Sequence, residues 1–156
     1  MVSYFHYKTT TFEFLVGLKD NAVCFVGCIS DFKIDALKLL QKDFPGEAIV
    51  QVTIPVGFDL YKLSEKDLVL CGTPFQVRVW RALLQIPIGR VVSYQELSVR
   101  AGFGNNYARA VAGAVAKNKI AVLVPCLRVI RKSGSLCGFR WGLEIKKLLL
   151  EAERAL

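Results

Sequence analysis

Apolar and polar positions alternate through residues 1–29: Phe12, Phe14 and Val16, then Val23, Phe25 and Val26, with the turn signal Asp20-Asn21 between them. This period of two predicts a β-hairpin. The period then lengthens. Ile34, Leu37, Leu40 and Phe44 recur at helical spacing behind Asp31, which can cap the helix, and Pro45-Gly46 stops it. Residues 47–70 mix short apolar runs with Pro55 and Gly57 and close on the charged stretch Ser64-Glu65-Lys66-Asp67, which predicts a boundary between domains 1–70 and 71–156.

Beyond Gly72 the start signals are stronger. Thr73 is an N-cap with Pro74 at the first helical position, and Phe75, Val79, Leu83 and Ile86 mark an amphipathic helix ended by Pro87 and Gly89. Ser93 with Glu96 three positions on forms a capping box that opens a second helix, running to about Ala101 before Gly102 and Gly104. A third helix begins at Asn105 or Asn106, with Ala108, Val111, Ala112 and Val115 inward. Two short helices joined by a glycine turn predict a helix-turn-helix. The third is built of small residues, Ala108, Ala110, Ala112, Gly113, Ala114 and Ala116, with Arg109 as its long cation, so it can approach another surface closely. A last helix covers 143–153; Trp80 and Trp141 read as core, and Lys146-Lys147 as a solvated helix face.

Composition narrows the class. At 156 residues and 53% hydrophobic, the chain can bury a real core and is not disordered. Its apolar runs, such as 120–126, fall short of the roughly 18 residues of a membrane span, and Met1-Val2-Ser3-Tyr4 lacks the regions of a signal peptide. The expectation is a soluble protein with no membrane partner, in the cytoplasm of a bacterium or archaeon, or in the nucleus of a eukaryote. Five cysteines are an odd number for a disulfide framework, so free thiols are expected, with Cys71 and Cys137 structural. Cys24-x-x-x-Cys28 with His6 offers three zinc ligands where a closed site needs four, so no metal is expected.

Charge is uneven. Residues 1–72 hold seven lysines and nine carboxylates, a net −2, whereas residues 73–156 hold 14 cations and four glutamates, a net +10. The C-terminal half is therefore the candidate contact surface for a polyanion.

The candidate nucleophile lies in that half. Residues 120–130 place Cys126 in an apolar run, directly after Pro125 and before Leu127-Arg128. Alone, such a cysteine reads as buried and structural. Pro125-Cys126-Leu127-Arg128-Val129, however, resembles the Pro-Cys-His-Arg-Val motif of the O6-alkylguanine-DNA alkyltransferases, suicide repair proteins that move an alkyl group from guanine O6 to their own cysteine. Gly72-Thr73-Pro74-Phe75-Gln76, Val79-Trp80, Ile86-Pro87-Ile88-Gly89, Val92-Ser93-Tyr94, Arg109-Ala110-Val111, Asn118 and Gly138-Phe139-Arg140-Trp141-Gly142 are similar to that family's landmarks, in its order. The segment before Cys71 matches it in length and hairpin-rich character.

The resemblance implies a ribonuclease-H-like α/β N-terminal domain and a mainly α, winged-helix-like C-terminal domain carrying the helix-turn-helix. It also implies a monomer that needs no cofactor and acts on double-stranded DNA containing O6-alkylguanine. Cys126 is the implied alkyl acceptor. Arg109, whose offset from Cys126 matches the family, is the finger that enters the duplex where the nucleotide rotates out through the minor groove. Tyr107, Ala108, Ala110, Ser93 and Arg128 are implied DNA contacts. Tyr94 sits beside the flipped base at N3, and Asn118 is the hinge to the cysteine segment. Val115, Ser133, Gly134, Phe139 and Arg140 form the lesion pocket, with 133–139 as its loop. Glu153, on the last helix, matches the glutamate of the family's Cys, water, His, Glu chain.

Two positions depart from the pattern. Leu127 stands where the family has histidine, and the only histidine is His6. A leucine cannot accept a proton, which leaves water, Glu153, a cation such as Arg128 or the helix field to activate a thiol that is mostly protonated at neutral pH. Phe139 stands where tyrosine is usual. The alternative function is a non-enzymatic protein that binds alkylated DNA and flags it for other repair factors. A sequence-specific regulator is disfavoured, because the third helix offers alanines where base-reading side chains are needed.

Overall fold

The computed structural model describes residues 1–29, 35–134 and 138–154. By packing, the chain divides into two units, Met1–Cys71 with Lys119–Leu123, and Gly72–Asn118 with Val124–Leu156. The segment Lys119–Leu123 therefore packs with the N-terminal half, which corrects a C-terminal domain running unbroken over 71–156.

The first unit is built on a four-stranded sheet of order β3-β2-β1-β4, with β1 Val2–Lys8, β2 Glu13–Lys19, β3 Ala22–Ile29 and β4 Ile49–Gln51. The first three strands are antiparallel, and β4 runs parallel to β1. The predicted hairpin is β2 and β3. Asp20 and Asn21 both take positive φ (51° and 64°), as a two-residue hairpin turn requires, and these residue types tolerate that conformation best after glycine. Phe14, Leu15 and Val16, and all of Val23 to Val26, are buried, so β2 and β3 are covered on both faces there and form apolar runs rather than the strict alternation expected. The outer edge of β3 is occupied: Val23 O accepts from Val69 N at 2.9 Å, and Val26 exchanges bonds with Lys119 O and Ala121 N at 2.9 Å each. Single bridges of this kind leave no periodicity, which is why the sequence did not assign 119–123 to this unit.

Helix α1 spans Ala36–Asp43, and its cap is Asp35, whose carboxylate accepts from Lys38 N at 3.2 Å. The predicted cap Asp31 and the flanking Ile34 lie outside the described residues. Moving a cap by one turn keeps the same apolar face, so the spacing of Leu37, Leu40 and Phe44 could not choose between the two aspartates.

The second unit contains α2 Pro74–Leu84, β5 Val92–Ser93, α3 Tyr94–Arg100, α4 Ala108–Ala116, β6 Val129–Ile130 and α5 Leu143–Ala152. Thr73 caps α2 in a complete capping box with Gln76. Trp80 and Trp141 are each 1% exposed, and the Trp80 indole donates to Ala114 O at 2.9 Å. That bond matters because α4 has little side chain to bury. At α3 only half of the predicted box forms: Ser93 Oγ accepts from Glu96 N, while the Glu96 carboxylate reaches forward to Arg100 at 3.2 Å. The turn after α3 passes through Gly102 at φ +87°, a left-handed conformation that favours glycine, and the Ser98 hydroxyl donates to Gly104 O. Phe103 packs between Phe75 and Tyr107 with tilted rings, at 4.8 and 5.6 Å, and the Arg78 guanidinium lies over its ring. Residues Asn105–Tyr107 form a 3-10 turn, so α4 proper starts at Ala108 rather than at an asparagine.

A second 3-10 turn, Cys126–Arg128, is anchored by Arg128. Its guanidinium grips Glu153 through both carboxylate oxygens, at 3.0 and 2.8 Å, and donates to Ile86 O at 2.6 Å. Among the described residues no helix is long and apolar enough to cross a membrane.

A bidentate pair removed from water is costly to break on one side. Arg128→Met should lower stability by about 3 kcal/mol, and adding Glu153→Leu should recover much of that loss. Urea unfolding of the single and double variants measures both.

Candidate active site

Cys126 sits where three local devices meet. Pro125, at φ −81° and ψ 63°, forms a tight inverse γ-turn in which Cys126 N donates to Val124 O at 2.8 Å. The same carbonyl accepts from Asn118 Nδ2 at 2.8 Å. Asn118 follows directly on the C-terminal end of α4, is 3% exposed, and through this bond ties the helix to the cysteine segment. Finally, β5 pairs with β6 in parallel, Val92 with Val129 and Ser93 with Ile130. This brings Tyr94, the first residue of α3, to the cysteine.

Cys126 lines a cavity of about 270 Å³. Tyr94, Val115, Phe139 and Arg140 form its larger walls, and Ala112, Ala116 and Gly138 leave it room. A second concavity of about 330 Å³ is lined by Ser93, Tyr94, Gln95, Ala108, Arg109, Ala112, Arg131 and Lys132. The two share Tyr94 and Ala112. Arg109, Arg131 and Lys132 are exposed, and so is the face of α4 carrying Ala110, Gly113 and Ala116. The groove is thus basic and its helix presents almost no side chain, which suits close approach of a phosphate backbone.

Burial pushes the Cys126 thiol above its ordinary value. A hydrogen bond with Asn118, the Lys146 ammonium and the Arg140 guanidinium each pull the other way without cancelling it. At neutral pH the sulfur is mostly protonated.

The sequence-derived site residues fall into groups. Cys126, Tyr94, Val115, Phe139 and Arg140 line one cavity, Asn118 stands behind it, and Arg109, Ala108 and Ser93 line the adjoining groove. Tyr107 is about half exposed, its ring against Phe103. Arg128 is a correction: at 8% exposed and bound to Glu153 and Ile86 O, it is not presented to DNA. Glu153 is found in a bidentate pair with that same Arg128, its carboxylate 15% exposed. Ser133 and Gly134 are exposed in a turn closed by Gly134 N to Arg131 O and do not line the cavity; within the expected 133–139 loop, residues 135–137, including Cys137, lie outside the described residues. Leu127 is 0% exposed and contributes no wall to the cavity.

The sequence reading missed Lys146. Expected in solvent, it is 0% exposed and its Nζ donates to Val129 O at 2.6 Å; Lys147 is the solvated one, 4.0 Å from Glu151. The signal was present, since Lys146 lies three and four positions before the buried Leu149 and Leu150, on their face of α5. His6 is exposed on β1 while Cys24 and Cys28 are buried in β3, and no group of three or more His, Cys, Asp or Glu that could hold a metal occurs among the described residues.

Residues 74–155 match the family model described as the DNA-binding domain of 6-O-methylguanine DNA methyltransferase. The chain is 50% identical over 149 residues to the bifunctional transcriptional activator/DNA repair enzyme Ada of Escherichia coli, covering 89% of this chain and 42% of that protein. It is 51% identical over 88 residues to a methylated-DNA–protein-cysteine methyltransferase of Mycobacterium leprae, 56% of this chain and 53% of that one. The chain spans about half the length of the curated relatives it matches. Among solved structures, the Mycobacterium tuberculosis O6-methylguanine methyltransferase superposes with a TM-score of 0.70 at 32% identity, over 99% of this chain and 93% of that one. The M. tuberculosis protein OGT in complex with DNA gives 0.70 at 31%, over 97% and 92%. These neighbours share the α/β fold with a helical C-terminal part. The chain belongs to the O6-methylguanine-DNA methyltransferase family.

Proposed function

We propose that this protein repairs DNA directly, by moving an alkyl group from the O6 of guanine in double-stranded DNA to Cys126, once per molecule. The observation that carries this reading is the junction of the two concavities at Tyr94 and Ala112. A nucleotide displaced from a duplex lying on the basic groove, with Arg109 in its place, passes Tyr94 and enters the cavity where the sulfur waits. O6 is out of reach for in-line attack inside the base stack, so extrusion precedes chemistry.

The thiol proton leaves to water. The sulfur then forms a bond to the alkyl carbon as the bond from that carbon to O6 breaks, and the electron pair passes to guanine, which takes up a proton. Tyr94 stands beside the base at N3, Phe139 and Val115 clasp it, and Asn118 keeps the cysteine turn in register with α4. We read α3, its glycine turn and α4 as the helix-turn-helix of a winged-helix-like domain, and the N-terminal unit as ribonuclease-H-like. With Leu127 unable to accept a proton and Glu153 held by Arg128, attack relies on the minor thiolate fraction, at a cost on the order of 100-fold in rate. Leu127 also favours a second reading, a protein that binds and flips the lesion without transferring it.

Incubated with a duplex containing O6-methylguanine, the protein should gain one methyl on Cys126 and be consumed. The rate should climb about tenfold per pH unit from neutral upward, because the thiol titrates above its ordinary value. Intact and peptide mass spectra follow both; an unmodified Cys126 after long exposure to excess lesion DNA leaves only the binding reading. Leu127→His should speed transfer at neutral pH by roughly 10- to 100-fold. Arg109→Ala should weaken base extrusion more than non-specific duplex binding, and binding of the unaltered protein should fall steeply with salt. Fluorescence of a reporter base beside the lesion, set against titrations of undamaged duplex, separates the two effects.

A further inference from the structure

The cations near the site fall into two sets. Arg109, Arg131 and Lys132 line the groove beside α4 and form no part of the Cys126 cavity, whereas Arg140 lines that cavity and not the groove. The division matters because a duplex backbone meets the groove, while the cavity wall meets only the displaced base and the group on its O6. Among the described residues lining the cavity, Arg140 is the one with a formal charge, and none is acidic. Its guanidinium is held beside the cysteine turn. Nη1 reaches Asn118 O at 3.4 Å, and Asn118 Nδ2 donates to the Val124 carbonyl that also accepts from Cys126 N. The ring of the buried Trp141 lies 5.5 Å from the guanidinium carbon. Arg140 is half-buried, so a base filling the cavity displaces water that screens its charge.

A mostly apolar cavity with one cation in its wall and no anion discriminates by charge. A methyl group gains nothing from the guanidinium. A substituent ending in a carboxylate loses its hydration on entry, which is costly unless it is paired, and a guanidinium is shaped to hold a carboxylate through two parallel hydrogen bonds. The same pairing offsets the repulsion between that carboxylate and a thiolate attacking the adjacent carbon.

We propose that Arg140 is a specificity-determining residue that admits anionic alkyl groups to the Cys126 cavity, those ending in a carboxylate, of which carboxymethyl is the smallest. The thiol proton leaves to water, and the sulfur bonds to the methylene carbon as the bond from that carbon to O6 breaks. The electron pair passes to guanine, which takes up a proton, and the carboxylate stays on the transferred carbon, leaving S-carboxymethylcysteine. The inference deepens the transfer reading above and rests on it.

Three duplexes test it, carrying O6-methylguanine, O6-carboxymethylguanine and the amide O6-carbamoylmethylguanine, which matches carboxymethyl in shape but has no charge. Single-turnover transfer to Cys126, read by peptide mass spectrometry in the full chain, gives the rate ratio of carboxymethyl to carbamoylmethyl. That ratio cancels effects of a substitution on duplex binding, base extrusion or the thiol itself. Arg140→Gln should lower it roughly tenfold or more, whatever happens to the methyl rate, while Arg131→Gln in the groove should leave it in place. An unchanged ratio in Arg140→Gln overturns the proposal, and so does an equal fall in Arg131→Gln, which makes any preference a property of the whole basic surface. Should Arg140→Gln fail to fold, the unaltered protein decides by affinity: tighter binding of the carboxymethyl duplex than of the carbamoylmethyl duplex supports the proposal, and equal binding overturns it. The transfer reading fails separately, through a Cys126 left unmodified by all three duplexes, and the affinity comparison then judges Arg140 by itself.

Discussion

The position of the Cys126 sulfur depends on the backbone of residues 124–129 being held by hydrogen bonds whose partners lie elsewhere in the chain. Asn118 grips the Val124 carbonyl, Lys146 grips that of Val129, and Arg128 leaves the turn to bind Ile86 O and the Glu153 carboxylate. None of these segments is regular enough to fix itself: the turn is three residues of 3-10 helix between a γ-turn and a two-residue strand. Each side-chain anchor is buried or nearly so, which makes its loss expensive and its geometry stable. The cavity, the pairing of β5 with β6 and the placement of Tyr94 all follow from that fixed turn.

That arrangement also sets the environment of the thiol. A buried thiol is driven toward its protonated form, and proteins oppose this either with a neighbouring base or with positive charge. Here Leu127 follows the cysteine, Glu153 pairs with Arg128, and the Lys146 and Arg140 cations oppose the effect of burial without cancelling it. Burial remains the larger effect, so the Cys126 thiol is mostly protonated at neutral pH. The groove beside it is organised differently: α4 carries few large side chains, and keeps its place in the unit through Val111, Val115 and the Trp80 indole.

Much of the C-terminal half was legible in the chain because its signals are local. Thr73-Pro74, Ser93 and Gly102 mark helix ends through bonds and dihedral preferences that span a single turn, and these formed as read. Errors arose where a local pattern fits two answers. A cap displaced by one turn preserves the same helix face, and Glu96 had both a box partner behind it and Arg100 ahead. Lys146 was misread because lysine is seldom fully buried, although its place on the Leu149 and Leu150 face was visible.

By itself the sequence singled out Cys126 as the candidate nucleophile and determined the order and type of most elements, the basic C-terminal half and the absence of histidine beside Cys126, since each follows from residue identity or from spacing within a few turns. Only the tertiary structure decided that Arg128 and Glu153 bind each other, that Lys146 turns inward, and that residues 119–123 belong with the N-terminal sheet. Those outcomes join positions far apart along the chain, and such pairings are chosen by which buried polar groups can satisfy one another after the helices and sheet have packed, a condition that no local pattern encodes.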